Sequence, residues 1–366
     1  MIYLALTHDW ELRGDGSGDI EKIQFAPLRR LLEIYARVGA RTTILPDLMQ
    51  QLRFRRLQAR YPELKLGADS WDEQVREASR QGHDIQLHIH PHWLNGRYEN
   101  DRWQLDGDWS ILNYDRDTAF AMLADGKLYL ETLLQPIDPG YRCLAFRAGA
   151  LAAAPSDHLF HSLVSLGIKL DVSIAGGMFV NDQNLQLDYR SCEETFLPYF
   201  PRLEDARKIS ARREEIACVP LNHFYGSRRE VTRQNLKLAR QQVNQPRPGS
   251  ATIPVAESKS GSPSRAGLAF EKLIMPAIKR KHFVSDTSRL NYPLMREMLA
   301  SIRRRARDSG LANIPVVLTN HPKDIRDLPA IEKFVGEVAQ AGDIQFITLT
   351  EIVARIQSGE FEVRTA

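Results

Sequence analysis

Cysteine is scarce: the 366-residue chain has three, Cys143, Cys192 and Cys218. An odd, widely spaced set supplies neither a disulfide framework nor a thiolate metal site, so three reduced thiols are expected. Long apolar runs are missing too. No stretch reaches the roughly 18 consecutive apolar residues of a spanning helix. The start, Met1-Ile2-Tyr3-Leu4-Ala5-Leu6-Thr7-His8-Asp9, lacks the basic segment and apolar core of a signal peptide. It reads as a first strand, and the expected location is cytoplasmic. Neither charge sign dominates, because 49 basic and 46 acidic side chains leave a net +3. No recognised nucleic-acid module accompanies the basic residues, so nucleic acid is not an expected partner.

What is present is a globular composition with an uneven charge distribution. Residues 1–200 hold 21 basic and 28 acidic side chains, residues 201–300 hold 19 and 9, and the remainder 9 and 9. The basic middle suits an anionic substrate or a solvated face. Apolar β-type runs alternate with helical periods. Strands are expected over 2–7, 41–45, 85–89, 143–147, 168–174, 314–319 and 344–349. Helices are expected over 27–38, 71–81, 119–134, 157–167, 330–341 and 350–357. Such alternation argues for an α/β fold with a mostly parallel sheet under helices. Residues 245–267 break the pattern with four Pro, five Ser and three Gly. They are expected to form a flexible loop or lid. The surrounding 206–311 reads as an insertion with helices at 232–243 and 293–307, between body segments 1–205 and 312–366.

Chemistry concentrates at strand ends. Four of the ten histidines fall within ten residues: His83, His88, His90 and His92. In His88-Ile89-His90-Pro91-His92, extended backbone would put three imidazoles on one face. Neutral imidazole is a common ligand of zinc and similar cations. Pro91 should end the strand near a sheet edge, where sites of parallel sheets lie. Asp9 and Glu11 follow the first strand two residues apart, so both carboxylates share a face. One could bind a metal while the other acts as a base, and two His with a carboxylate make a hydrolytic zinc set. Arg147, Asp171 and His321 end three further strands. The carboxyl ends of parallel strands converge on one pocket.

In order and spacing these motifs resemble those of the polysaccharide deacetylase family (NodB homology, carbohydrate esterase 4). The resemblance covers 1–205 and about 312–357. It rests on Thr7-His8-Asp9-Trp10-Glu11, Gly82-His83-Asp84 with His88 and His92, Phe146-Arg147-Ala148-Gly149, Gly167-Ile168-Lys169-Leu170-Asp171-Val172-Ser173 and Leu318-Thr319-Asn320-His321. Trp10 stands where the family's second Asp is usual, so a D-x-E register is adopted. The family's Trp after the fourth motif is missing.

The resemblance implies a distorted (β/α)7-type barrel and a metal-dependent deacetylase. Glu11, His88 and His92 would hold one divalent metal, zinc by preference, with Asp9 as base; the exchange of roles between Asp9 and Glu11 stays open. His321 would protonate the leaving amine, Arg147 would orient Asp9, and Asp171 would pair with a histidine such as His321. His90 would face substrate or an outer carboxylate, and His223 is a reserve contact. The implied substrate is an N-acetyl or N-formyl amino sugar, anionic or lipid-linked, of a lipopolysaccharide or O-antigen type. Trp93, Trp103 and Trp109 could build an aromatic subsite. Two alternatives are a hydrolase of cyclic amides or ureides and a non-catalytic carbohydrate-binding protein.

Overall fold

A computed structural model describes residues 1–243 and 281–366. The expected loop at 245–267 lies outside the described residues. Strand β1 (Ile2–Trp10) is buried along its whole length, as a strand covered on both faces must be. It pairs in parallel with β2 (Thr43–Pro46), which pairs with β3 (Asp84–Ile85). After a break at Gln86, β4 (Leu87–Ile89) belongs to a second parallel sheet. A small antiparallel hairpin follows, β5 (Arg97–Glu99) and β6 (Arg102–Gln104). Then come β7 (Ala145–Ala148), β8 (Leu170–Asp171) and β9 (Ala217–Cys218), which complete the second sheet in the order β9-β8-β7-β4. Strands β10 (Ile314–Asn320) and β11 (Ile344–Phe346) return to β1.

The parallel α/β reading therefore holds, with one correction. The expected barrel is not continuous among the described residues. Two parallel sheets meet only at isolated bridges, Asp47 with His88 and Leu221 with Val317. The strands bordering the seams include short ones, two residues in β3 and β9 and three in β4. The 206–311 stretch also contributes to the body, because β9 lies within it and pairs with β8.

Helices α1 (Ala26–Arg37), α2 (Leu48–Leu57), α3 (Pro62–Arg80), α4 (Arg116–Leu134) and α5 (Leu159–Ser165) cover the first half. In the second half, α6 (Arg228–Val243), α7 (Tyr292–Ser309), α8 (Leu328–Ala339) and α9 (Leu349–Gln357) follow. None is long and apolar enough to cross a membrane, among the described residues. Helix α2 was not expected. Asp47 starts it, accepting hydrogen bonds from the Met49 and Gln50 amides, a standard N-cap arrangement. Helix α3 begins nine residues before its expected start, because Leu64, Ala68, Trp71, Val75 and Ala78 extend one buried stripe. Trp10 alternates out of β1 into this helical layer. It is fully buried, stacks on Trp71 at 5.4 Å and donates to the Gln24 carbonyl.

Candidate metal centre

Strand alternation sends Trp10 to the helices and its neighbours Asp9 and Glu11 to the opposite face, as the sequence spacing requires. His321 lies one residue past β10. Its register, extended from Thr7 with Thr319, places it beside Asp9. Strand β4 adds His88, opposite Arg147 of β7. These elements bring two carboxylates, the imidazole of His88 and that of His90 one residue past β4, a guanidinium and a further imidazole to one pole.

The metal-competent group is Glu11, His88 and His90, all buried, with one donor atom from each within 4.8 Å of the others. The Nε2 of His90 lies 2.5 Å and that of His88 3.7 Å from Glu11 Oε2. His88 Nδ1 sits 2.9 Å from the Arg147 carbonyl. A proton on Nδ1 leaves the Nε2 lone pair facing Glu11, the usual tautomer of a ligating histidine. That Nε2 is buried and without a hydrogen-bond partner. A buried unpaired imidazole nitrogen is costly, and a cation would satisfy it. The donor set of two imidazoles and one carboxylate therefore fits a divalent metal. Burial opposes ionisation of Glu11, yet the His90 and Lys323 charges hold its carboxyl well below the usual range.

Among the described residues, the ligand atoms that gather are those of Glu11, His88 and His90, whereas the expected ligand His92 is not part of this group. His88 and His90 share the β4 face. Pro91 then opens a 3₁₀ turn, Pro91–Trp93, which ends the two-residue alternation before His92. His92 packs on Trp109 instead, with ring centroids 4.2 Å apart, and neither of its ring nitrogens has a hydrogen-bond partner. Asp47 Oδ1 accepts from the His90 amide at 3.3 Å, which ties the His90 backbone to the α2 cap.

Two charge pairs flank this group. Arg147, with no exposed surface, donates through Nη1 to Asp9 and at 3.3 Å to Thr319 Oγ1, and through Nε to the Val172 carbonyl at 3.2 Å. Burial would raise the Asp9 pKa, but Arg147, with His88 and His321, brings it below the usual value. The second pair corrects an expectation. His321 Nδ1 meets Asp286 Oδ2 at 3.0 Å, and not Asp171. Asp171 is in register with Phe146, one residue out of step with Arg147, so alternation turns it to the other face. There it accepts from the Ser173 amide and hydroxyl, and Ser173 Oγ accepts from the Ala148 amide. Burial pushes the Asp171 carboxyl up to about 6. His321 Nε2 points inward, 3.4 Å from Asp9 Oδ2 and 4.0 Å from Glu11 Oε1. Burial disfavours its charge, but the Asp286 carboxylate more than compensates and raises its pKa.

Two residues at the site were not anticipated. Asp286 follows the β-type run His282-Phe283-Val284-Ser285, the same acid-after-strand signal that marks Asp9. Its place inside the apparent insertion hid it. Lys323 comes two residues after His321 on the 3₁₀ turn Pro322–Asp324. Its Nζ donates to Glu11 Oε1 at 2.8 Å and the Leu12 carbonyl at 2.9 Å. Other expected residues lie elsewhere. His223 contacts His282, Nδ1 to Nε2 at 2.9 Å, away from the Glu11 group. Trp93 is core, and Trp103 stacks on Phe54 at 5.1 Å.

No family model matches the chain, and no curated protein does. Among solved structures, the chain is similar to a protein described as a probable polysaccharide deacetylase from Pseudomonas aeruginosa PAO1. That likeness has 12% identity, a TM-score of 0.49, and coverage of 99% of this chain and 93% of that one. It is similar to the Puue allantoinase at 12% identity and a TM-score of 0.48, covering 98% of this chain and 90% of that chain. It is also similar to a 4-alpha-glucanotransferase from Thermococcus litoralis at 12% identity and a TM-score of 0.47, over 97% of this chain and 40% of that chain.

Proposed function

We propose that this chain is a divalent-metal-dependent hydrolase that removes an N-acyl group, acetyl or formyl, from an amino sugar. One observation carries the reading. A ligand-competent Glu11–His88–His90 group lies between an Asp9–Arg147 pair and an Asp286–His321 pair. Zinc is the metal this donor set suits best. A cation held by Glu11, His88 and His90 would supply Lewis-acid chemistry, a more acidic water and a polarised amide carbonyl.

The chain's own residues divide the proton work. Asp9, kept ionised by Arg147, accepts the proton of the attacking water. His321, its Nδ1 held by Asp286, keeps Nε2 directed into the site and gives its proton to the leaving nitrogen. Arg147 has no free movement: three acceptors fix it, so it holds Asp9 in one orientation. Lys323 fixes Glu11 Oε1 and leaves Oε2 toward the two imidazoles. The products are a free amine and a short carboxylic acid. The basic 201–300 stretch supports an anionic or lipid-linked sugar as substrate, of the kind assembled into lipopolysaccharide or O-antigen.

The test is elemental analysis of the purified protein beside Glu11→Ala and His88→Ala, followed by an amine-release assay on N-acetylated nucleotide and lipid-linked sugars. One metal per wild-type chain, lost in both variants, with amine release from at least one sugar, is the expected result. A wild type that takes up no metal even after reloading sinks the hydrolytic reading and leaves a carbohydrate-binding protein.

A further inference from the structure

A cavity of about 710 Å³ opens beside the loop that leaves Glu11. That size lies within the range of small-molecule sites. Its wall begins at Leu12, whose carbonyl accepts from Lys323, the residue that also holds Glu11. Phe54, Tyr98 and Trp103 supply aromatic surface, with Phe54 stacked on Trp103 and Tyr98 tilted against it at 5.0 Å. Asp15, Glu63 and Asp101 line the same space, against Arg102 as the one basic lining residue. Burial, then the negative charge of Glu63 and Asp101, push the Tyr98 phenol above its usual range.

Three glycines let the backbone approach the cavity's side chains closely. Gly16, Gly18 and Gly67 line it. Gly16 has φ +71, and a Cβ there would fall 2.7 Å from Trp103 Cβ. The hairpin that carries Tyr98 and Trp103 turns on Asn100 and Asp101, both at positive φ. This two-residue turn carries the lining residue Asp101, while β5 and β6 carry Tyr98 and Trp103.

Aromatic faces with surrounding carboxylates favour a cation. A simple aliphatic amine would not use so broad a cavity. A protonated amino sugar would: its ring packs on Trp103 and its ammonium meets the carboxylates. The reaction proposed above releases such an amine. Resting on that reading, we infer that the cavity is a subsite for a sugar unit bearing a free amine, next to the unit being deacylated. The enzyme then prefers substrates whose neighbouring residue has already lost its acyl group.

The experiment is equilibrium binding by calorimetry, which needs no turnover. The probes are β-1,4-linked glucosamine tetramer, its fully N-acetylated counterpart, and spermidine, with wild type, Glu63→Gln/Asp101→Asn and Gly67→Leu. Asn tolerates positive φ, so the turn is kept. Leu in place of the α3 glycine raises helix propensity while filling the cavity. The tetramer should bind wild type, with the acetylated form and spermidine each weaker by about ten-fold, and the double amide variant should lose a similar factor for the tetramer alone. Gly67→Leu should abolish tetramer binding. Equal affinity for free-amine and acetylated tetramers, spermidine binding as tightly as the tetramer, an unchanged double variant, or no binding at all each overturns the subsite. If tetramer binding follows this pattern but amine release fails, the subsite stands and the hydrolase reading does not.

Discussion

Replacing Arg147 by Met removes the guanidinium hydrogen-bonded to Asp9, a carboxylate that is 3% exposed. Three acceptors lose their donor at once: Asp9, the Val172 carbonyl and Thr319 Oγ1. Leaving a buried charge without its partner costs about 3–5 kcal/mol. The stranded carbonyl adds about 1 kcal/mol. Arg147→Met should therefore lose about 4–6 kcal/mol of unfolding free energy at pH 7, read as a lower urea midpoint at constant m-value. Neutralising the carboxylate as well, in Arg147→Met/Asp9→Asn, should restore about half, a coupling of about 2–3 kcal/mol. The pH dependence has a defined sign. In the wild type Asp9 has a depressed pKa, so its contribution is present above the unfolded carboxylate value and lost as pH falls. Without Arg147, burial raises that pKa, and protonation relieves the variant. The stability gap should narrow steadily between pH 7 and pH 4. A double variant no more stable than Arg147→Met, or a gap independent of pH, would refute the account of Asp9 as a buried charge held chiefly by the Arg147 guanidinium.

Three further outcomes follow from the site. His90→Ala should abolish metal uptake, whereas His92→Phe, which removes two unpartnered ring nitrogens and keeps a ring against Trp109, should retain it by elemental analysis. Asp286→Asn should keep metal content while lowering kcat by about 10–100-fold, because His321 loses its orienting carboxylate. Asp171 has its pKa raised from 3.8 to about 6. Its ionisation therefore favours the unfolded chain as pH rises through that window, a loss of about 3 kcal/mol. Asp171→Asn is free of this loss, so its stability relative to wild type should improve by about 2 kcal/mol of it between pH 4 and pH 6.5 in urea titrations.

The sequence revealed most of what local periodicity controls. β1 was legible because its residues are buried on both faces, and the parity of Asp9 and Glu11 carried through to the site. The same parity argument failed at His92, since it assumed extended backbone through Pro91, where a 3₁₀ turn begins. It failed differently for Asp171. A strand-end position was visible, but which face it takes depends on register with β7, a relation between distant segments. Asp286 and Lys323 enter the site through a single bridge to Thr319 and a short turn after His321. Neither leaves a periodic trace. Helix α2 depended on recognising Asp47 as a cap rather than on apolar spacing, and its hydrophobic residues are interleaved with arginines and glutamines.

Glu11 extends from a strand of one sheet and His88 from the other, and among the described residues the one bridge between those sheets on this side is Asp47 with His88. A cation on Glu11, His88 and His90 would thus be a rivet across a joint stitched by one bridge. The opposite joint, Leu221 with Val317, has no such fastening among the residues of the centre. Chelation should then work asymmetrically. Amide hydrogen exchange should quicken around Asp47 and His90 and stay unchanged around Asn222, whose amide is bonded to the Val317 carbonyl. Because binding to the folded form alone adds to its stability, cation concentration would set how tightly this molecule is closed along one edge.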